Sequence, residues 1–176
     1  EVRSTWSTVP ALIMFSLMVG SPLLTALGVV REKETGSIYN IYSATVTRLE
    51  FLVGKLIPYV MISAVNVAVL WLMAVLLFAV PFKGSLWLFI ASSILFVLTS
   101  TGIGLVVSLL VSTQQAALII TVVVSTVPTI LFSGLIVPVS SLSRASQFQA
   151  HLFPGMYYTN ITRGTFLQNV GLAVLW

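Results

Sequence analysis

Residues 9–30 read VPALIMFSLMVGSPLLTALGVV, a run of 22 residues without one charged side chain. Three further charge-free runs follow, at residues 56–80, 86–111 and 116–139. A helix of about 20 residues crosses the hydrocarbon core of a bilayer, so each run is long enough to span it. Lipid offers no hydrogen bonds to the backbone, so each span must be helical. The pattern predicts an all-α membrane protein, a polytopic transmembrane helix bundle with four spans.

The composition agrees with a membrane protein and excludes several other classes. The chain has 176 residues, 58% hydrophobic and 7% charged, whereas a soluble domain carries about 25% charged residues. The net charge of +4 comes from eight scattered Lys and Arg, which build no basic face for nucleic acid. The chain has no cysteine, no aspartate and one histidine, His151. We therefore expect no metal site and no catalytic site, and an intramembrane enzyme is disfavoured.

The loop at residues 31–55 begins with four alternating charges, Arg31-Glu32-Lys33-Glu34. Such charges are costly in lipid, so this loop must lie in water or against a polar partner. Lys and Arg are equally divided, four and four, between the two membrane faces. Their density favours residues 31–55 as the cytoplasmic side, which usually carries the basic loops. Glu32 and Glu34 have two candidate sets of partners, namely basic residues of another protein, or Arg48 and Lys55.

The apolar residues of this loop are spaced as on short amphipathic helices at the membrane interface. Thr47 and Glu50 have the spacing of a capping box, in which each side chain accepts a hydrogen bond from the other residue's amide. This pattern predicts a break at 43–46 and a new helix that starts at Thr47, ahead of the second span.

The stretch VVREKETGSIYNIYSATVTRLEFLVGKLIPY, residues 29–59, resembles the cytoplasmic loop of ABC-2 type transporter permeases. That family shows Arg-Glu-x-Glu-x-Gly after a span, then Arg-x-Glu, then Gly-Lys before the next span. The outer segment, residues 140–171, lies within a region that also resembles the family, in FSGLIVPVSSL (132–142) and LFPGMYYTNITRGTFLQNVGLAVLW (152–176). One departure is Ala44-Thr45, where the family often has Thr-Pro, which indicates a less rigid bend.

The resemblance implies the membrane half of an ATP-driven ABC exporter in a bacterial cytoplasmic (inner) membrane. The loop would hold an interfacial coupling helix that docks on a nucleotide-binding domain. Two permease halves would pair, as a homodimer or heterodimer, around the substrate path. The outer segment would form re-entrant helices. The candidate ATPase-coupling residues are Arg31, Glu32, Glu34, Gly36, Ile38, Tyr42, Arg48, Glu50 and Lys55.

The resemblance also implies that the chain holds four of six spans, so we interpret it as an internal part of a longer permease. No Gly-x-x-x-x-Gly-Lys-Ser/Thr phosphate loop occurs in it. We therefore expect no cofactor on this chain and place ATP and Mg on the partner domain. An alternative function is a membrane-anchoring or regulatory subunit that recruits an ABC ATPase without moving a solute. The substrate cannot be read from these residues.

Polar residues inside the spans are candidates for the translocation path. The fourth run carries a hydroxyl stripe at i, i+4 spacing, which one helix face would present. Helix packing through small residues is the alternative interpretation, and the same holds for a ridge of small residues in the third run. An amide in the second run needs a partner, either structural or substrate. The residues concerned are Asn66, Thr121, Ser125, Thr129 and Ser133.

The docking interpretation of the loop predicts the behaviour of one charge reversal. We expect Glu34→Lys to lower transport and to leave membrane insertion intact, because the residue lies outside the apolar spans. Transport and membrane fractionation of the full-length protein measure the two effects separately. Full transport in the Glu34→Lys variant would contradict the prediction.

Overall fold

A computed structural model describes residues 2–36, 47–133, 141 and 143–168. Every regular element in this part of the chain is helical, and four of the helices are long and apolar enough to cross a membrane. The predicted all-α polytopic bundle is therefore confirmed. The elements are α1 (Val2–Glu34), α2 (Arg48–Leu76), α3 (Leu86–Leu110), α4 (Gln114–Phe132), α5 (Arg144–Leu152), α6 (Pro154–Arg163) and a π-helical turn (Gly164–Gln168).

Helix α1 is the centre of the bundle, since it packs against α2, α3, α4 and α6. The most apolar windows of α1 and α3 are 56% and 50% buried, whereas those of α2 and α4 are only 17% and 22% buried. Helices α2 and α4 therefore flank a central α1–α3 pair. Their exposed faces are rows of Leu, Ile and Val, which suits an apolar solvent such as lipid.

Helix α2 begins eight residues before the predicted span, at Arg48 instead of residue 56, and ends at Leu76 instead of residue 80. The Thr47–Glu50 capping box is confirmed. The helix that it starts runs directly into the span, however, so Leu49 and Val53 lie on the first turns of α2 and not on a separate interfacial helix. No residue between 48 and 56 breaks a helix strongly enough to separate the two.

The other boundaries differ less. Helix α1 extends past the predicted residues 9–30 into the charged motif. Helix α3 ends one residue before the predicted end at 111, and α4 starts two residues before the predicted start at 116. Helix α4 ends at Phe132, and residues 134–139 of the predicted span lie outside the described residues.

The close crossing of α1 and α3 depends on one glycine. A Cβ atom on Gly104 would lie 2.2 Å from the carbonyl oxygen of Pro22 and 2.7 Å from its Cα. Ser100 and Ser108, one helical turn to either side, are fully buried. The packing interpretation of this small-residue ridge is confirmed, although Ser112, which continues the spacing, is exposed.

Aromatic residues hold the end of the bundle where α2 joins α3, which we call the distal end (residues 77–85 with α5, α6 and the π-helical turn). The ring of Phe82 makes edge-to-face contacts with Trp71, Phe89 and Phe166, at centroid distances of 5.2 to 5.9 Å. Phe82 therefore joins α2, α3 and the π-helical turn.

Helix α6 is fixed to α3 by Tyr158. The Tyr158 ring is stacked on Phe96 with centroids 4.2 Å apart, and its hydroxyl lies 2.9 Å from the hydroxyl of Ser93. The Gly84 amide also donates to the Thr165 carbonyl at 2.7 Å. The described residues between 143 and 168, which lie in the segment predicted as outer, thus form short helices that pack on the bundle.

Two glycines of α3 give a matched test of the α1–α3 crossing. We expect Gly104→Ala to destabilise the fold by about 1–3 kcal/mol, because the added methyl group meets backbone that cannot rotate away. Gly102→Ala is the control, since nothing lies within 4 Å of its Cβ position. Thermal unfolding of the full-length protein in detergent measures both variants. Equal loss of stability in the two variants would contradict the close approach of α1 and α3 at Gly104.

Candidate functional site

The loop end of the bundle, residues 31–36, 47–55 and 108–114, contains the charged motif that the sequence singled out. Helix α1 ends there at Glu34, and Gly36, two residues further, has a φ of 73°, in the left-handed region. The Thr35 amide donates to the backbone carbonyl of Arg31 at 3.0 Å, and the Gly36 amide donates to the backbone carbonyl of Lys33 at 3.2 Å. A glycine meets this backbone requirement at little cost, which accounts for Gly36 in the motif. Ile38 and Tyr42 lie outside the described residues.

Glu32 and Lys55 form an ion pair that joins the end of α1 to the start of α2. Both side chains are partly buried, with 30% and 22% exposed. The Lys55 ammonium also lies 5.9 Å from the centre of the Phe51 ring. One turn further along α2, the Tyr59 ring occupies the space that a Cβ on Gly28 would need. Of the two predicted sets of partners for Glu32, the structure places the internal one, Lys55, against it.

Lys33 contacts the C-terminal end of α3. Its ammonium donates to the carbonyl oxygens of Ser108 and of Val111, the latter at 3.3 Å. The last carbonyls of a helix lack partners within the helix and carry partial negative charge. A cation at this position therefore satisfies orphan acceptors and opposes the helix dipole.

Glu34 contacts the N-terminal end of α4. Its carboxylate accepts from the Gln114 backbone amide at 2.7 Å and from the Gln114 side-chain amide. The first amides of a helix are orphan donors with partial positive charge, for which a carboxylate is a favourable partner. The Thr113 hydroxyl accepts from the Ala116 amide at 3.3 Å as a second cap.

The sign of each charge matches the helix end that it meets. Helices α3 and α4 are separated only by residues 111–113, so a negative and a positive helix end lie side by side. Lys33 and Glu34, adjacent and opposite in charge, bind these two ends in turn. We call Lys33 and Glu34, with the backbone groups of Ser108, Val111 and Gln114 that they bind, the clasp.

The clasp was missed in part by sequence reasoning. Lys33 was not a candidate, and Glu34 was expected to pair with another protein or with Arg48 and Lys55. Gln114 is 80 residues away from Glu34 in sequence, and only the alternating signs of the charges indicated a paired structure. The remaining candidates have local roles or none within the described residues.

Glu50 accepts from the Thr47 amide at 2.8 Å and its own amide donates to the Thr47 hydroxyl at 3.3 Å. Its role in the described structure is therefore to start α2. The Arg31 side chain is exposed. Arg48 is the first residue of α2, and its side chain lies outside the description.

The hydroxyl stripe of α4 is buried between helices. Thr121, Ser125 and Thr129 have no exposed surface, and Ser133 at the end of the helix is 1% exposed. The Thr129 hydroxyl donates to the Ser125 carbonyl, while the hydroxyls of Thr121 and Ser125 have no partner among the described residues. Helix α4 packs mainly on α1, so this stripe faces protein in this conformation.

Asn66 is separate from the stripe. It is half-buried on α2, a helix that packs on α1 and α3. The structure therefore does not bring Asn66 together with the hydroxyls of α4 in one lining.

Comparison with known proteins identifies the family. The model of the ABC-2 type transporter family matches residues 2–167. The chain is 31% identical to the probable multidrug ABC transporter permease YbhR of Escherichia coli strain K12, over 97% of the chain and 46% of that protein. It is 30% identical to the probable multidrug ABC transporter permease YbhS of the same strain, over 90% of the chain and 42% of that protein.

A eukaryotic relative matches more weakly. ABC transporter G family member 20 of Dictyostelium discoideum is 26% identical over 85% of the chain and 20% of that protein. No solved structure matches. The chain spans slightly less than half the length of the two Escherichia coli permeases. The family match over nearly all of the described helices shows that this chain belongs to the ABC-2 type transporter family.

Proposed function

We propose that the chain is the membrane permease part of an ATP-driven ABC exporter, which moves a substrate out of the cytoplasm. The observation that carries the proposal is the loop end, where one charged motif contacts the ends of α2, α3 and α4. A protein that pushed on this motif would act on several spans through these contacts. The two Escherichia coli relatives are named as probable multidrug ABC transporter permeases, which supports drugs as the substrate class.

The partners follow from the same proposal. An ABC nucleotide-binding domain, carrying ATP and Mg, docks on the cytoplasmic loop 31–55, and a second permease half pairs with this one in the bilayer. The relatives support a bacterial cytoplasmic membrane as the location. Arg31 and the start of α2 are exposed at the loop end, so they are the described residues most available to the ATPase domain.

The translocation path is proposed to involve the buried hydroxyls of α4. The hydroxyls of Thr121 and Ser125 are unpaired within the described residues, and an unpaired buried hydroxyl is costly. A rearrangement of α4 against α1 beyond the loop end, where the clasp holds the two helices, would present them to a substrate or to water. Helix packing alone is the competing explanation of the stripe.

One observation favours the alternative function, a membrane anchor that recruits an ABC ATPase without moving a solute. The described polar residues of α4 face α1 and not an open channel. Substrate-dependent stimulation of ATP hydrolysis separates the two functions, because an anchor has no substrate to sense.

The orientation of the bundle can be tested with single cysteines, because this chain has none. Ser112 at the loop end and Lys83 at the distal end are both exposed. In a full-length protein without other cysteines, an impermeant maleimide added to intact cells should label Lys83→Cys. It should label Ser112→Cys only after permeabilisation. The reverse pattern would put the charged loop outside and remove the basis for docking.

Export itself is tested with the full-length permease and its ATPase in inside-out vesicles. We expect ATP-dependent accumulation of a fluorescent lipophilic dye, which a non-hydrolysable nucleotide does not support. A complex that hydrolyses ATP without accumulating or responding to any of a panel of lipophilic dyes would favour the anchoring function.

A further inference from the structure

We propose that the clasp makes the loop ends of α1, α3 and α4 move as one body, so that Lys33 and Glu34 are the residues through which motion of the charged loop reaches α4. This inference rests on the proposed export function and names its positioning residues. Neither Lys33 nor Glu34 touches the substrate path, so both act through the helices that they hold.

The clasp ties the end of α1 directly to the other two helices, because its contacts end on backbone atoms. Lys33 holds the Ser108 and Val111 carbonyls, and Glu34 holds the Gln114 amide. A side-chain partner can change rotamer when the helix moves, whereas a backbone group moves only with its helix. The two charged residues are themselves adjacent at the last turn of α1. Displacing this turn therefore displaces the end of α3 and the start of α4 together.

A small apolar cluster lies beside the clasp and joins the same three helices. Its buried members are Ala26 and Val30 of α1, Val107 near the end of α3, Val111 just beyond it, and Ala117 of α4. Ala26, Val30 and Ala117 have no exposed surface. Since close-packed interiors transmit displacement and do not absorb it, the cluster and the clasp act on the same body.

The link from α1 to α2 is of a different kind. Glu32 and Lys55 meet through two long side chains that are both partly exposed, and pairs of this kind contribute little and are weakened by salt. Helix α2 is also the least buried of the four spans. The link toward α3 and α4 thus combines helix-end contacts with a buried apolar cluster, whereas the polar link toward α2 is an ion pair between two side chains.

The path from the clasp leads to the hydroxyl stripe. Ala117 in the cluster and Thr121, Ser125 and Thr129 lie on one face of α4 at intervals of four residues. All four are buried. A displacement applied at Gln114 is applied to the first residue of the helix that carries this face. Under the proposed function, the clasp sets the register of the stripe against α1.

The inference is tested by distances within the full-length permease–ATPase complex in lipid nanodiscs. Spin labels at Thr35→Cys and Gln115→Cys report on the end of α1 and the start of α4, and a pair at Val53→Cys and Gln115→Cys reports on α2. All three positions are exposed. We expect the 35–115 distance to stay the same with and without trapped nucleotide, while the 53–115 distance changes. A nucleotide-dependent change in the 35–115 distance of the otherwise native protein would overturn the inference, and so would an unchanged 53–115 distance.

Variants of Glu34 test the consequence for coupling. Glu34→Ala should lower transport per ATP hydrolysed by about tenfold, within the usual range of coupling free energies. Glu34→Gln keeps an oxygen that can accept from the Gln114 amide, so it should lower transport per ATP hydrolysed by a smaller factor. Gln115→Ala, an exposed neighbour of Gln114 that takes no part in the clasp, is the matched control and should couple normally.

The outcomes distinguish a failure of the clasp from a failure of the export function. Native transport with full coupling in Glu34→Ala would overturn the clasp and leave the export function standing. A native complex that shows no ATP-dependent transport would overturn the export function, and the inference with it. The label distances in the native complex decide the question even if Glu34→Ala fails to assemble.

Discussion

The charged end of α1 satisfies the backbone at the facing ends of α3 and α4, and the arrangement at the loop end depends on this interaction. Every helix leaves several amides at its start and several carbonyls at its end without partners. These groups carry partial charges, positive at the helix start and negative at its end, so a side chain of opposite charge is a favourable partner. A turn of only three residues, 111–113, places both kinds of orphan group side by side. Lys33 binds the carbonyls at the end of α3, and Glu34 binds the amide at the start of α4. Each side chain carries a charge opposite to the partial charge of the helix end that it binds.

The two ends of the bundle are held by different chemistry. At the loop end the contacts involve charged groups, with an ion pair at Glu32 and hydrogen bonds that join Lys33 and Glu34 to backbone groups. At the distal end they are aromatic and centre on Phe82 and Tyr158. Between them α1 and α3 approach at Gly104, where no side chain separates the backbones.

The features that follow from local chemistry could be predicted from the sequence. The four spans follow from charge-free runs, because lipid imposes both the length and the helix. The Thr47–Glu50 capping box needs only two residues three positions apart. The ridge at Gly104 follows from the i+4 spacing of small residues. The family resemblance rested on motifs of the same local kind.

The features that depend on tertiary packing could not be predicted. Glu34 binds Gln114, which is 80 residues away in the sequence. Rules based on residue spacing relate only residues that are close together in the chain. The second span was predicted to start at residue 56, where the charge-free run begins, whereas the helix capped by Thr47 continues into that span without a break. The hydroxyl stripe on α4 was visible, but whether it faces protein or a path depends on how α1 packs against it.

Hydrogen exchange at the start of α4 tests most directly whether the charged end of α1 holds the helix ends. The Gln114 amide has no partner within its own helix, so its protection must come from the Glu34 carboxylate. The account predicts slow exchange of this amide in the full-length protein, faster exchange in Glu34→Ala, and no change in Gln115→Ala. Fast exchange in the native protein, or exchange indifferent to Glu34, would contradict it.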